Sequence, residues 1–217
     1  MASPRSYVLL TALTLVAGYT DAVAFFGLGV FTANMTGNTV LLAGALAERF
    51  VAHVPGGFSI GLTLLSLLCF ALGASAAALL LRGERGRPPL RSLAVLSFVL
   101  LLAVGAALLF RREIAGEAAA LCVGLLSTLA GMQSVLAARA GVPGITTIVV
   151  TGAMVTALMD FFGSTPQDDR RRVGVPYAAD WALYFGGAVG GTLGLGLLGG
   201  AALWVPVVVV ALLLPVL

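Results

Sequence analysis

The sequence predicts an all-α integral membrane protein, and three observations carry the prediction. Of the 217 residues, 60% are hydrophobic and only 10% are charged, whereas a soluble domain carries roughly a quarter charged residues. The mean hydropathy is +1.09. The apolar residues come in continuous runs rich in Leu, Ala and Gly, not in the short alternating strands of a β-barrel. Several of these runs reach the about 20 residues that a helix needs to cross about 30 Å of hydrocarbon.

Taken in order, the first run, Tyr7–Phe26, outlasts the apolar core of a secretory signal, about 7–15 residues, and reads as a retained first span. Phe58–Leu81, Ser92–Phe110 and Ala118–Ala138 follow as further spans. Trp181–Gly199 and Ala201–Leu217 form one run too long for a single crossing, with Gly199-Gly200 as the natural turn between them. Two shorter segments, Phe31–Ala47 and Ile145–Met159, carry Thr and Gly near their starts and read as broken or re-entrant helices. The prediction is six transmembrane helices plus two short re-entrant ones in a single membrane domain, 1–217.

The two short segments match each other. Thr36-Gly37 corresponds to Thr151-Gly152, and Ala17-Gly18 upstream corresponds to Ala130-Gly131. Thr11, Thr14, Gly18 and Asp21 align with Gly124, Ser127, Gly131 and Ser134 at helical spacing, one narrow small-or-polar stripe in each half. The chain therefore reads as two internal repeats, 1–110 and 111–217. If the short segments return to the side they entered from, the repeats are inverted. With the N-terminus cytoplasmic, nine of the twelve arginines then lie inside and three outside. If both segments cross, giving eight helices in parallel repeats, the split is seven to five. The positive-inside rule favours the first arrangement over this alternative.

Composition also excludes function classes. The formal charge of +3 comes from arginines scattered through connecting loops, a topology signal and not a nucleic-acid face. Cys69 and Cys122 sit inside apolar runs and His53 stands alone, so neither a disulfide nor a metal site is expected. No Ser–His or Cys–His grouping suggests an enzyme. Asp21 and Asp160 lack the flanking glycines of an intramembrane aspartyl protease. No cofactor is expected.

The candidate site is the polar island between Gly18 and Ala45. Asp21 is the only formal charge inside the first span, and an ionised carboxylate there needs a partner or a water-filled cavity. It reads as a proton or cation site, as a carboxylate that binds a substrate donor, or as a helix-fixing group bonded to the nearby Thr and Asn residues. Asn34-Met-Thr36-Gly37-Asn38 has the make-up of a helix start inside the membrane, with capping side chains and a glycine that lets the backbone approach. Discontinuous helices of this kind hold ions and polar solutes in transporters, whereas single Thr and Asn residues more often hold helices together. Gln133, Thr147, Thr151 and Gly152 supply the second copy. The Gly186, Gly190, Gly194 run is a close-packing face, within the bundle or in a homo-oligomer, since no strand precedes it to make a nucleotide loop. Asp160 and Asp180 are expected at an interface, closing the sixth segment and opening the seventh.

Gly18-Tyr-Thr-Asp21-Ala22-Val and Phe31-Thr-Ala-Asn34-Met-Thr36-Gly37-Asn38-Thr resemble the N-terminal signature of the YoaK-like family of small bacterial membrane proteins. Ala130-Gly-Met-Gln133, Gly141-Val-Pro143 and Thr146-Thr to Thr151-Gly152 look like its second signature, with a departure at Ile148 to Val150. The resemblance spans essentially the whole chain. It implies a multi-pass protein of the bacterial inner membrane and, the family being a domain of unknown function, names no substrate.

The expected function is a small-solute or ion transporter or channel-like protein, embedded in the lipid bilayer, with its polar site between the repeats. Asp21, Asn34, Thr36, Gly37, Asn38, Gln133, Thr147, Thr151 and Gly152 are the expected site residues. The alternative is a non-transporting membrane scaffold or assembly protein that uses the glycine faces.

Overall fold

The computed structural model describes residues 4–51, 57–82, 95, 97, 99, 101, 102, 104, 114–140, 150–162 and 174–214. The described elements are all helical: α1 (Pro4–Leu28), α2 (Met35–Ala47), α3 (Ile60–Leu80), α4 (Gly116–Ala140), α5 (Val150–Phe161), α6 (Gly174–Leu198), a 3-10 turn (Gly199–Leu203) and α7 (Trp204–Leu213). The described positions between Val95 and Val104 are helical too. Among the described residues, four stretches are long and apolar enough to cross a membrane: Val8–Leu28, Ile60–Leu80, Gly116–Arg139 and Val175–Leu213. This is the all-α membrane architecture that the composition implied.

Helix α1 ends at Gly29, whose φ of +68° is the left-handed conformation a glycine adopts without steric cost. The segment after it does not continue outward. The amides of Thr32 and Ala33 reach back to Asp21, about 10 Å below the end of α1 at 1.5 Å per residue. Helix α2 starts at that depth, capped by Asn34, whose Oδ1 accepts from the Gly37 amide at 3.0 Å. At 13 residues it spans about 20 Å, short of a full crossing. It then returns toward the end of α1. Glu48, just past α2, accepts from the Gly57 amide, and a Cβ placed on Gly29 would lie 3.4 Å from the Phe58 ring at the entry to α3.

Two helix pairs share one packing scheme. Between α1 and α6, Thr14 meets Asp180, Gly18 meets Tyr184 and Gly27 meets Leu195, so the two helices run parallel. Between α3 and α4, Ser66 meets Ser127, Phe70 meets Gly131 and Leu81 meets Arg139, again in parallel. In each pair a glycine abuts a partner backbone carbonyl and a second glycine returns the contact. Gly18 lies on Tyr184 and Gly187 on Leu15; Gly131 lies on Phe70 and Gly73 on Thr128. Such approaches exclude any side chain and suit helices packed without a hydrophobic driving force between them. Helices α1 and α4 run antiparallel: Gly27 lies near Ile114, while Val16 and Ala17 surround a small internal space with Leu129, Ala130 and Gln133.

Gly199 (φ +58°) turns the last run. A Cβ on Gly194 would lie 3.5 Å from that of Ala202, although eight residues of continuous helix advance about 12 Å. The Tyr19 hydroxyl pins the turn by donating to the Ala202 carbonyl at 2.9 Å. One boundary needs correction. Helix α6 begins at Gly174, not at Trp181, with Pro176 in its first turn, where a missing amide costs nothing. Asp180 is therefore not at the helix start but seven residues in, buried and accepting from Thr14 at 2.7 Å.

Candidate functional site: a cavity between two helix starts

The N-terminal ends of α2 and α5 open on one cavity of about 710 Å³. Ala33, Asn34, Met35, Thr36, Gly37 and Val40 line it on one side, with Phe70, Ser134, Thr151 and Tyr184 on the other. Asn34 takes the Gly37 amide, and the Asn38 amide closes onto the Asn34 carbonyl. The amide and hydroxyl of Thr36 have no partner among the described residues and border the cavity. The positive end of the α2 dipole is thus directed at this space. Among the described residues, none of the lining side chains carries a formal charge.

Asp21 lies behind this wall. It is 2% exposed and is not a lining residue. Its Oδ1 accepts from the amides of Thr32 and Ala33, both at 2.7 Å, and from the Thr32 hydroxyl at 3.0 Å. Its Oδ2 accepts from the Tyr184 hydroxyl at 2.6 Å. One carboxylate therefore anchors the returning segment to α1 and binds a cavity-lining aromatic of α6. Paying for burial with four donors is how a carboxylate stays stable away from water.

Asn38 has a comparable post on the other side of α2. Its Oδ1 accepts from the Phe31 amide at 2.9 Å, and its Nδ2 donates to the Phe31 carbonyl and to Ser66 Oγ at 2.7 and 2.8 Å. Ser66 is bonded in turn to Ser127 at 2.9 Å, joining α2 to α3 and α4. Phe31, held by these bonds, stacks on Phe25 with ring centroids 4.4 Å apart.

Of the residues expected at the site, Asn34, Thr36, Gly37 and Thr151 meet at the cavity, with Gly152 next to Thr151 in the first turn of α5. Asp21 and Asn38 stand behind it as buried supports. Gln133 is elsewhere: it borders the small internal space against α1 and donates to Ser97 at 3.2 Å. Thr147 lies outside the described residues. Tyr184, Phe70 and Ser134 are lining residues that the sequence reading did not place in the site. Ser134 was legible as the counterpart of Asp21, whereas no local pattern marked Tyr184. In the glycine run, Gly190 and Gly194 lie against Tyr19 of the same chain, and of the three only Gly186 has open space.

Apolar helices of crossing length around a cavity lined by uncharged polar groups define a multi-pass helical membrane protein. The chain belongs to the family described as "Protein of unknown function (DUF1275)", whose model matches residues 9–216. It is similar to the UPF0700 transmembrane protein YoaK of Bacillus subtilis (strain 168), at 35% identity over 160 residues, 71% of this chain and 67% of that protein. No solved structure matches it.

Proposed function

We propose that this chain is a small-solute transporter or channel-like protein of the bacterial cytoplasmic membrane, with its N-terminus cytoplasmic and its substrate site in the cavity between α2 and α5. The observation that carries the reading is the meeting of two short-helix starts at one uncharged, hydroxyl-bearing space inside an apolar bundle. Discontinuous helices place their amides and dipoles at such sites because irregular backbone is tolerated at membrane depth only where it is buried or lines a cavity. The solute class this favours is small and polar, with an accepting or anionic end for the two helix starts and an apolar part that Phe70, Met35 and Val40 can cover.

Two inverted repeats belong to the same reading. The reciprocal glycine contacts of α1 with α6 and of α3 with α4, and the antiparallel course of α1 and α4, support them. A scaffold working through the glycine face has less support, because Tyr19 already covers Gly190 and Gly194. The test is flux of small solutes into liposomes holding the purified chain. A screen of small polar solutes, neutral, anionic and zwitterionic, should find one that enters faster than into protein-free vesicles, and Thr36→Val and Thr151→Val should each slow it. No accelerated solute would overturn the reading.

A further inference from the structure

The two oxygens of Asp21 are bound unequally. Three donors saturate Oδ1, and all belong to the segment that leads into α2. Among the described residues Oδ2 has a single donor, the Tyr184 hydroxyl, on a side chain that is itself part of the cavity wall. The first oxygen is a fastening. The second is one side chain away from the cavity. The corresponding contact of the other helix pair has no such feature, since Phe70 carries no hydroxyl and Ser134 donates to the Ala130 carbonyl of its own helix at 2.8 Å.

We propose that Tyr184 is a removable cover over Asp21, and that a cationic or hydrogen-bond-donating group entering the cavity displaces the Tyr184 hydroxyl and takes its place on Oδ2. The proposal rests on reading the cavity as the substrate site and adds to it a carboxylate exposed only when Tyr184 swings away. In the covered state the described lining of the cavity presents no charge. In the uncovered state it presents one acceptor of full negative charge, and a charge-assisted bond to it is stronger than one between neutral groups. A cost of exposing this carboxylate to an empty apolar site is thereby avoided until a partner for it has arrived.

The test is modification of Asp21 by an apolar carbodiimide, dicyclohexylcarbodiimide, in the full chain held in lipid nanodiscs, located by mass spectrometry. In the parent, Asp21 should react slowly. Tyr184→Phe, which keeps the ring and removes the donor, should raise its rate about 10- to 100-fold, the shift expected on losing a hydrogen bond to a charged group. Added guanidinium or methylammonium should slow the reaction in that variant. Gly186→Ala, on the same helix but outside the cavity lining, should leave it unchanged. Labelling of Asp21 no faster in Tyr184→Phe than in the parent, or faster but indifferent to both cations, would overturn the proposal. Thermal stability of Tyr184→Phe within the range of Gly186→Ala separates uncovering from general loosening. The readout needs no flux: faster, cation-protected labelling supports the cover even in a protein whose liposomes pass no solute, a result that would reject the transport reading alone.

Discussion

Adjacent glycines in α6 should respond in opposite ways to the same added methyl group. A Cβ on Gly186 meets nothing within 4 Å. On Gly187 it would sit 3.0 Å from the Leu15 carbonyl carbon and 3.1 Å from the Tyr19 amide nitrogen, with the Leu15 oxygen nearer still. These atoms are backbone of α1 and cannot rotate aside, so α1 and α6 must separate by about 1 Å. A gap of that size forfeits a quarter to a half of each dispersion contact along the interface. Overpacking of this kind costs about 1–3 kcal/mol, and the upper half of that range applies where only whole-helix movement relieves it. Gly186→Ala should lie between neutral and about 1 kcal/mol stabilising, nearer neutral because a helix in lipid keeps its hydrogen bonds before it packs. Reversible unfolding in mixed detergent, followed by Trp fluorescence, measures both variants against the parent. Equal stability of Gly186→Ala and Gly187→Ala would refute the backbone-contact argument for this helix pair.

The same reasoning makes Gly18→Ala and Gly187→Ala less than additive, because one separation of α1 from α6 relieves both, whereas Gly18→Ala and Gly73→Ala act on different helix pairs and should add within about 0.5 kcal/mol. Asp21→Ala strands the amides of Thr32 and Ala33 and should cost about 3–5 kcal/mol, at about 1–3 per unsatisfied buried group with partial relaxation. Asp21→Asn, which keeps an acceptor for that segment, should cost clearly less in the same unfolding assay. Asn38→Ala breaks three bonds to Phe31 and Ser66 and should cost about 2–4 kcal/mol. Tyr19→Phe loses only the bond to Ala202 and should cost about 1 kcal/mol.

What the sequence made legible follows from which signals are local. Apolar run length located the long helices, and an Asn two residues before Thr36-Gly37 located the start of α2, because a cap needs only neighbours in the chain. The match between the halves identified Thr36 and Thr151 as counterparts, and they share a cavity. Where several registers satisfy one spacing, the pattern fell short. The run from Gly186 to Gly194 contains two interleaved small-residue stripes four residues apart, and periodicity cannot choose between them. The stripe through Gly187 and Gly191 meets the backbone of α1, while the one through Gly190 and Gly194 meets the Tyr19 ring.

Tyr184 escaped for a related reason. It lies in an apolar helix where an aromatic is unremarkable, and its one informative contact is with a carboxylate 163 residues earlier in the chain. Asp21 itself announced that something must satisfy it, and the nearby Thr and Asn residues were the evident suppliers. Thr32 and the Ala33 amide satisfy one oxygen, while Asn34 and Asn38 are bonded elsewhere. The second is satisfied from another helix, brought within 2.6 Å because Gly18 and Gly187 let α1 and α6 touch backbone to backbone. The small residues that read as packing and the acid that read as a site are therefore one device: a bulkier residue at either glycine would draw the Tyr184 hydroxyl away from Asp21. Gly187→Ala should for that reason also raise the carbodiimide reactivity of Asp21, whereas Gly186→Ala should leave it at the parent's rate, and a variant that loses stability without exposing Asp21 would break the link.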